Sequence, residues 1–278
     1  MDDLTGQTFL VTGGNTGIGR ATVAGLARRG GKVYVAARSE EKTRAAIDAI
    51  IAETGNKNLS YLPLDLADLS SVRQCAAQFL ALDEPLHVLV NNAGVAGRRG
   101  LTRDGFEMTF GVNHLGHFAL TTALLDRLTS SGPARVVTVS SDAHYQAKGI
   151  DFDALQRPTV TYVGLREYEV SKLCNVLFTQ ELARRLDSKS VTAYALHPGV
   201  VASDIWRRVP WPVRPLMKLR MISNEQGAQT SLYCATSPEA AGVSGRFYDK
   251  CREREASKVA TPELASQLWE RSTAWTSS

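Results

Sequence analysis

Short apolar runs alternate with longer stretches of helical periodicity along this chain, and the alternation restricts its fold more than any other feature. Strands buried on both faces of a parallel sheet read as continuous apolar runs, and the intervening helices cover the two faces. The predicted strands are 8–12, 33–37, 59–64, 86–90, 135–139, 191–196 and 246–248. The predicted helices are 18–26, 40–52, 70–80, 106–128, 167–186 and 224–236. The pattern predicts an α/β fold with a doubly wound parallel sheet, known as a Rossmann fold.

The length and composition fit one large domain. The 278 residues exceed the usual domain length of ~150, but a sheet of about seven strands with flanking helices needs about this many. Hydrophobic residues make up 44% and charged residues 22% of the chain, which excludes a disordered chain, a collagen-like repeat and a small disulfide scaffold. We therefore expect a single domain over residues 1–278.

The charge balance and the cysteines limit which partners and which cell compartment the sequence favours. The 32 basic and 28 acidic residues leave a net charge of +4, too small an excess to favour nucleic acid. Four scattered cysteines without C-x-x-C spacing indicate reduced thiols in the cytoplasm, with no zinc site. The sequence lacks an apolar run of 18 residues, and residues 1–5 lack the pattern of a signal peptide. We expect neither export nor a membrane span.

A glycine-rich turn joins the first predicted strand to the first helix. Its spacing, G-x-x-x-G-x-G, differs from the commoner G-x-G-x-x-G, but its position is the one that a dinucleotide-binding turn needs. Glycines let the backbone approach a pyrophosphate, and the helix N-terminus offers free N–H groups. An ordinary glycine-rich turn is the alternative. The residues expected to bind the cofactor here are Gly13, Asn15, Thr16, Gly17, Ile18 and Gly19.

Two further motifs carry a resemblance to a known family. Asn-Asn-Ala-Gly at 91–94 follows the fourth strand, and Tyr168 and Lys172 lie four residues apart. Together with the glycine turn, and in this order, these motifs resemble the short-chain dehydrogenase/reductase family over nearly the whole chain. Val-Ser-Ser-x-Ala-His at 139–144 and His-Pro-Gly-Val-Val at 197–201 are similar to its retinol dehydrogenase-like branch. Many members of that branch carry an N-terminal anchor, which we do not expect here.

The end of the second strand bears on which nicotinamide cofactor binds. An enzyme that uses NAD usually has an acid there for the ribose 2′-hydroxyl, whereas this strand ends in Ala-Ala-Arg-Ser at 36–39. Arg38 can form charge-assisted bonds to the 2′-phosphate of NADP(H), and Arg20 can add a second cation. The alternative is that both arginines are solvated surface groups. The sequence favours NADP(H).

The resemblance implies the rest of the cofactor site. Asp65 and Leu66 correspond to the residues that hold the adenine, although a helix N-cap is the alternative for Asp65. The other cofactor-binding residues that it implies are Asn91, Ala93, Gly94, Tyr168, Lys172, Pro198, Gly199, Val200 and Ser203.

Four residues are the expected catalytic set. Tyr168 and Lys172 share one helix face, and the ammonium, with the positive nicotinamide, should lower the pKa of the phenol. The resemblance implies that Ser141, rather than Ser140, bonds the reacting oxygen. It also implies that Asn113 orders a water of the proton relay beside Lys172, with a structural asparagine as the alternative.

Two other chemistries fit poorly. His114, His117 and His144 lie on different elements without a carboxylate that would complete a metal site. A serine hydrolase would need a G-x-S-x-G turn, which does not surround Ser141.

The resemblance implies an NADP(H)-dependent oxidoreductase that interconverts an apolar alcohol and its ketone or aldehyde, with Tyr168 as general acid/base. The alternatives are a non-catalytic dinucleotide sensor or scaffold, and a pigment or steroid reductase of the same family. The resemblance also implies a homodimer or homotetramer. The sequence does not name the substrate or the direction of the reaction.

The segment 203–223, rich in Pro, Trp, Arg and Met, is expected to be a substrate lid. Residues 205–221 hold many large apolar side chains and five cations, with no acid among them. Three interpretations stay open: a lid over an apolar substrate, a patch that contacts an anionic membrane surface, and a packed helix.

Overall fold

A central sheet of eight strands organises the chain in a computed structural model, which describes residues 3–199 and 222–277. The strands are β1 Thr8–Thr12, β2 Lys32–Ala37, β3 Leu59–Pro63, β4 Val88–Asn91, β5 Ala134–Val139, β6 Val191–His197, β7 Arg246–Asp249 and β8 Arg252–Arg254. Their spatial order is β3-β2-β1-β4-β5-β6-β7-β8, and all neighbours are parallel except β7 and β8. The predicted α/β fold with a doubly wound parallel sheet is confirmed for the first seven strands.

The eighth strand departs from the predicted pattern. Its residues, Arg252–Arg254, are exposed and have none of the apolar character that marks the other strands. Lys250 and Cys251 have φ angles of 50° and 59°, which turn the chain back so that β8 pairs antiparallel with β7. A tight turn and backbone bonds form this strand, so periodicity could not reveal it.

Helices cover both faces of the sheet. They are α1 Gly17–Ala27, α2 Glu40–Thr54, α3 Leu69–Leu80, α4 Met108–Phe110, α5 Gly116–Ala123, α6 Leu125–Ser130, α7 Leu165–Arg185, α8 Asn224–Thr236 and α9 Pro262–Thr276. The helix predicted over 106–128 is divided, because a π-helical turn, Gly111–Leu115, separates α4 from α5. The helix α9, which packs on α7, was not predicted.

Alternate residues of each central strand point to opposite faces, which creates two cores. In β1, Leu10 packs in one core with Phe79 and Phe118, which come from α3 and α5. Its neighbours Phe9 and Val11 pack in the other core, which contains residues of α1, α2 and α8. This alternation fixes the register of β1, since a shift by one residue would exchange the two faces.

The strand order reverses direction between β1 and β4, which are neighbours in the sheet. Chain segments leave β1 towards β2 on one side and leave β4 towards β5 on the other. In an open parallel sheet this reversal opens a crevice at the carboxyl ends of the strands. The turns after β1 and β4 therefore meet at one place.

Among the described helices, none is long and apolar enough to cross a bilayer.

Candidate active site

A cavity of about 690 Å³ opens at the carboxyl ends of the strands. Its volume is within the range of small-molecule and cofactor sites. Most of the residues that the sequence predicted for a cofactor lie on its walls: Gly13, Asn15, Thr16, Gly17, Ile18, Gly19, Arg38, Asp65, Leu66, Ala93, Gly94, Tyr168, Lys172 and Pro198.

The turn after β1 forms a cradle of backbone atoms. Gly13 has a φ of 65°, which favours glycine, and its N–H donates to the Ala36 carbonyl at 2.8 Å. A Cβ on Gly19 would lie 2.3 Å from the Gly13 carbonyl oxygen, so this close packing of turn and helix needs glycine. The first turn of α1 has no acid, and the Thr16 side chain does not cap it. Free N–H groups at this helix end fit a pyrophosphate.

Two exposed cations, Arg38 and Lys42, line the cavity beyond the end of β2. Ser39 lies between them and accepts the N–H of Lys42, so it caps α2. Neither cation has an ion pair within the described part of the chain, because the nearby Glu40 pairs with Arg44 at 2.7 Å. Free arginine and lysine donors in one pocket fit a phosphate group.

Arg20 is not the second cation that the sequence suggested. Its guanidinium lies 3.5 Å from Glu53 on α2, and it is not among the residues on the cavity wall. Lys42 lines the cavity instead. Helical spacing could have found Lys42, since the first turn of α2 begins directly after Ser39.

The turn after β4 differs from its prediction by one residue. Asn91 is the last residue of β4; it is buried, and its amide donates to the Thr121 hydroxyl at 3.0 Å. Its neighbour Asn92 lines the cavity and donates to the Thr12 carbonyl at 2.8 Å. Successive side chains of an extended strand alternate in direction. Asn91 therefore belongs to the core, and Asn92 faces the site.

The side chains of Tyr168 and Lys172 come from one face of α7, as their spacing predicted. Lys172 is only 4% exposed, and its ammonium donates to the Val139 carbonyl at 2.9 Å. Its Nζ lies 5.6 Å from the centre of the Tyr168 ring. The Ser141 side chain lies beside the Tyr168 phenol and acts to lower its pKa.

The two serines after β5 have separate roles. Ser140 is buried, and its hydroxyl donates to the Lys172 carbonyl at 2.8 Å, which binds β5 to α7. Ser141 is half-buried, its hydroxyl accepts the Ala143 N–H at 3.2 Å, and it acts to lower the pKa of Tyr168. His144 contacts the Ser141 carbonyl through Nδ1 at 2.7 Å and holds this turn in place. Ser140 is among the residues that line the cavity, whereas Ser141, the serine that the resemblance implied, is not.

Asn113 lies behind the cavity wall rather than on it. It is fully buried, and its side chain accepts the Val95 N–H at 2.8 Å and donates to the Val95 carbonyl at 3.0 Å. The same amide donates to the Ser171 hydroxyl at 3.0 Å, next to Lys172. Asn113 thus holds Val95 on the cavity wall and binds the π-helical turn to α7.

The pKa directions at this site are opposite for its acid and its base. Loss of water around the phenol raises the pKa of Tyr168, and the bond from Ser141 opposes this rise only in part. Burial lowers the pKa of Lys172 to about 8. The expected lowering of the Tyr168 pKa by Lys172 is therefore not found in the protein alone, since burial is the larger effect. The phenol is a protonated donor at neutral pH.

Comparison with known proteins agrees with this arrangement. The sequence model of the short chain dehydrogenase family matches residues 7–152, which is more than half of the chain. The chain belongs to this family. Retinol dehydrogenase 12 of Mus musculus is 45% identical over 274 residues, which cover 96% of this chain and 85% of that protein. Retinol dehydrogenase 13 of Homo sapiens is 44% identical, with 97% and 84% covered.

Solved structures give the same fold for this short-chain dehydrogenase. An uncharacterized protein from Mycobacterium paratuberculosis superposes with a TM-score of 0.80 at 33% identity, covering 100% of this chain and 96% of the other. The RhlG/NADP active-site complex of Pseudomonas aeruginosa has a TM-score of 0.72 at 24% identity, covering 93% and 98%, and supports the fold alone.

Some predicted positions are not on the wall of the dehydrogenase cavity. Gly199 does not line it, and Val200, Ser203 and the expected lid fall outside the described residues, apart from its last two, 222 and 223. The lining residues that the sequence missed include Ser39, Lys42, Asn92, Val95, Arg98 and Asn224. Within residues 3–199 and 222–277, no group of three His, Cys, Asp or Glu side chains could hold a metal ion.

Proposed function

We propose that this short-chain dehydrogenase is an NADP(H)-dependent oxidoreductase that interconverts an apolar alcohol with its ketone or aldehyde. One observation carries the proposal. The Tyr168 phenol, close to the buried Lys172 ammonium, faces the same cavity as the glycine turn and Arg38. A proton donor and a dinucleotide cradle thus share one cavity, which is the minimum that hydride transfer to a carbonyl requires.

Each catalytic side chain has a physical task. The protonated phenol of Tyr168 gives its proton to the carbonyl oxygen during reduction and takes it back during oxidation. The Ser141 hydroxyl bonds the same oxygen and stabilises the charge that develops there. The Lys172 ammonium holds the cofactor ribose and favours the phenolate when Tyr168 has lost its proton. The nicotinamide, when bound, donates or accepts the hydride at its C4.

The cations beyond β2 support NADP(H) over NAD(H). Arg38 and Lys42 face the cavity, and Glu40, which follows Ser39, is paired with Arg44. A 2′-phosphate would therefore meet two cations that have no ion pair within the described residues. NAD(H) lacks this phosphate and would leave both donors in water.

Two observations support an apolar substrate. Val95, Met108 and Val112 add apolar surface to the wall of the cavity. Two relatives at about 45% identity are named retinol dehydrogenases, and retinol is an apolar alcohol. The lid expected at 203–223 would complete such a site.

A cytoplasmic homodimer or homotetramer, with or without peripheral contact with a membrane, remains our prediction for the whole protein.

The test is consumption of NADPH with a panel of apolar aldehydes, ketones and quinones. The expected result is turnover with one or more of them, and slower turnover when NADH replaces NADPH. Tight binding of NADPH without turnover on any carbonyl, and without its formation from NADP⁺ and the matching alcohols, would favour a dinucleotide sensor or scaffold.

A further inference from the structure

His117 lies on α5, below the cavity floor, and contacts two elements of the site. Its Nε2 lies 2.9 Å from the Thr12 hydroxyl at the end of β1. Its Nδ1 lies 3.0 Å from the Asn113 carbonyl oxygen in the π-helical turn. The side chain is 2% exposed, so water is not an alternative partner. The mechanism above gives this residue no part.

The partners determine which nitrogen of His117 carries the proton. A carbonyl oxygen can only accept, so the Nδ1 that faces Asn113 must be protonated. In a neutral imidazole the other nitrogen is then an acceptor, so the Thr12 hydroxyl donates a hydrogen bond to Nε2. Burial lowers the pKa of His117 to about 4, which keeps the ring neutral.

At Thr12, this bond fixes a hydroxyl on which the cofactor turn depends. The Thr12 oxygen accepts the N–H groups of Asn92 and Ala93, each at 2.9 Å. Two donors fill its lone pairs, so its single proton must point elsewhere. The Nε2 of His117 is the nearer acceptor, because the Val90 carbonyl lies 3.4 Å away. His117 thus orients the hydroxyl that holds two residues of the cavity wall.

At the other end, the bond reaches the catalytic helix. Asn113 binds Val95 through two hydrogen bonds and Ser171 through a third. Ser171 precedes Lys172 and donates to the Tyr168 carbonyl at 2.8 Å. A continuous series of bonds therefore runs from Thr12 through His117 and Asn113 to α7.

We propose that His117 is a positioning residue that joins the cofactor-binding turn to Asn113 and the catalytic helix. It touches neither cofactor nor substrate, and it acts by fixing the Thr12 hydroxyl at one end and the Asn113 carbonyl at the other. The inference rests on the proposed function for its catalytic half. Its cofactor half does not, because binding can be measured without turnover.

The two hydrogen bonds of His117 form a bridge between Thr12 and Asn113, and two amide substitutions remove them one at a time. In His117→Asn the amide N–H takes the place of Nδ1 and keeps the bond to Asn113, but Thr12 loses its acceptor. In His117→Gln the amide oxygen takes the place of Nε2 and keeps the bond to Thr12, but Asn113 loses its donor. Loss of one buried hydrogen bond corresponds to roughly a fivefold to tenfold effect. His117→Phe removes both bonds.

The two variants are expected to differ in whether NADPH binding or turnover is impaired more. In His117→Asn the larger loss should appear as a rise of about fivefold or more in the NADPH Kd, measured by fluorescence titration. In His117→Gln the larger loss should appear as a fall of about fivefold or more in kcat. A residue that only fills the core would lower Tm and impair Kd and kcat alike in both variants. Equal losses in both variants would overturn the proposal.

A measurement on the unsubstituted protein removes dependence on whether the variants fold. Nitrogen-15 labelling of the five histidines allows the ring nitrogens to be observed by NMR. For His117, we expect a protonated Nδ1, a bare Nε2 and no titration between pH 5 and 9. A protonated Nε2 would overturn the bridge. If this tautomer is found but NADPH does not bind, the proposed function fails and the bridge remains.

Discussion

The two ends of the cavity differ in how their polar groups are held. At the end beyond β2, the cations Arg38 and Lys42 are exposed and have no ion pair within the described residues. At the other end, Lys172 and Asn113 are buried and hydrogen-bonded to neighbouring protein atoms. The first arrangement leaves donors free for a charged ligand. The second fixes groups that must already be in place when the reaction occurs.

This difference predicts that binding and chemistry can be impaired separately. Exposed charges contribute affinity through one or two contacts and can be removed without disturbing the fold. Buried groups share their neighbours, so removal of one alters the geometry of the others. Substitutions at the Arg38 end should change Kd, and substitution of Tyr168 should change kcat, whereas removal of the Lys172 ammonium, which would hold the cofactor ribose, should change both.

The largest effect is expected for Tyr168→Phe. The variant keeps the ring but has no proton to exchange, and a positioned general acid contributes about 10² to 10⁴ in rate. Turnover of NADPH with an active carbonyl should fall by that factor, while the NADPH Kd changes less than threefold. Tyr162→Phe is the matched control, because Tyr162 is 89% exposed and does not line the cavity. Near-normal turnover in Tyr168→Phe would remove the proposed mechanism.

The next effect concerns the exposed end. Arg38→Ala should raise the NADPH Kd about tenfold or more, since a charge-assisted bond contributes about 1.5–3 kcal/mol. The NADH Kd should barely change, because NADH has no 2′-phosphate. Arg44→Ala is the matched control: this arginine lies nearby on α2 but is paired with Glu40. Equal losses for both cofactors would mean that Arg38 does not bind the 2′-phosphate.

The sequence predicted the exposed end less completely than the sheet. Seven strands follow from apolar runs, since burial on both faces leaves a continuous signal. Arg38 was found from the missing acid, but Lys42 was not, because its role depends on how the first turn of α2 faces the cavity. Similarly, the choice between Asn91 and Asn92 depends on where β4 ends, and strand ends are not marked by periodicity.

At the buried end, motifs predicted the residue types but not their contacts. Tyr168 and Lys172 line one cavity, while Ser141 lies outside its wall and acts on the pKa of Tyr168. The bonds of His117 to Thr12 and Asn113 join positions far apart in the chain, and no spacing rule connects residue 12 to residue 117. The π-helical turn was missed as well, because an extra residue in one turn hardly alters apolar spacing.

Acid should test the buried end through His114, which is next to Asn113 and packs among Phe110, Phe118 and Phe178. Burial lowers its pKa from 6.5 to about 3. Below pH 6.5, His114 therefore binds a proton in the unfolded chain but not in the folded chain. Its contribution to stability is fully present above pH 6.5 and is lost as the pH decreases. Between pH 7.5 and 5.5, His114 alone accounts for a loss of about 1.4 kcal/mol in the free energy of unfolding.

The variant His114→Phe isolates this contribution. Urea unfolding at pH 7.5 and 5.5 should give a difference about 1.4 kcal/mol smaller than in the unsubstituted protein. The larger ring changes packing at both pH values, so it alters each free energy but not the difference attributed to His114. An unchanged pH difference would show that His114 is not held neutral in the fold.

The smallest effect is a decrease of activity at alkaline pH. It tests the buried end of the cavity specifically, because it depends on the charge of Lys172 alone. With its pKa lowered to about 8, the ammonium loses its proton over a range in which an exposed lysine would keep it. If the charged form is required, kcat/KM should fall roughly fourfold between pH 7 and 8.5. Tyr168 cannot produce this decrease, because burial raises its pKa and moves its ionisation to higher pH.

In Lys172→Arg the charge persists, so the rate should be lower at every pH but without a decrease in this interval. A decrease that remains in Lys172→Arg would place the titrating group elsewhere, and a level profile in the unsubstituted protein would mean that the lysine charge is not required.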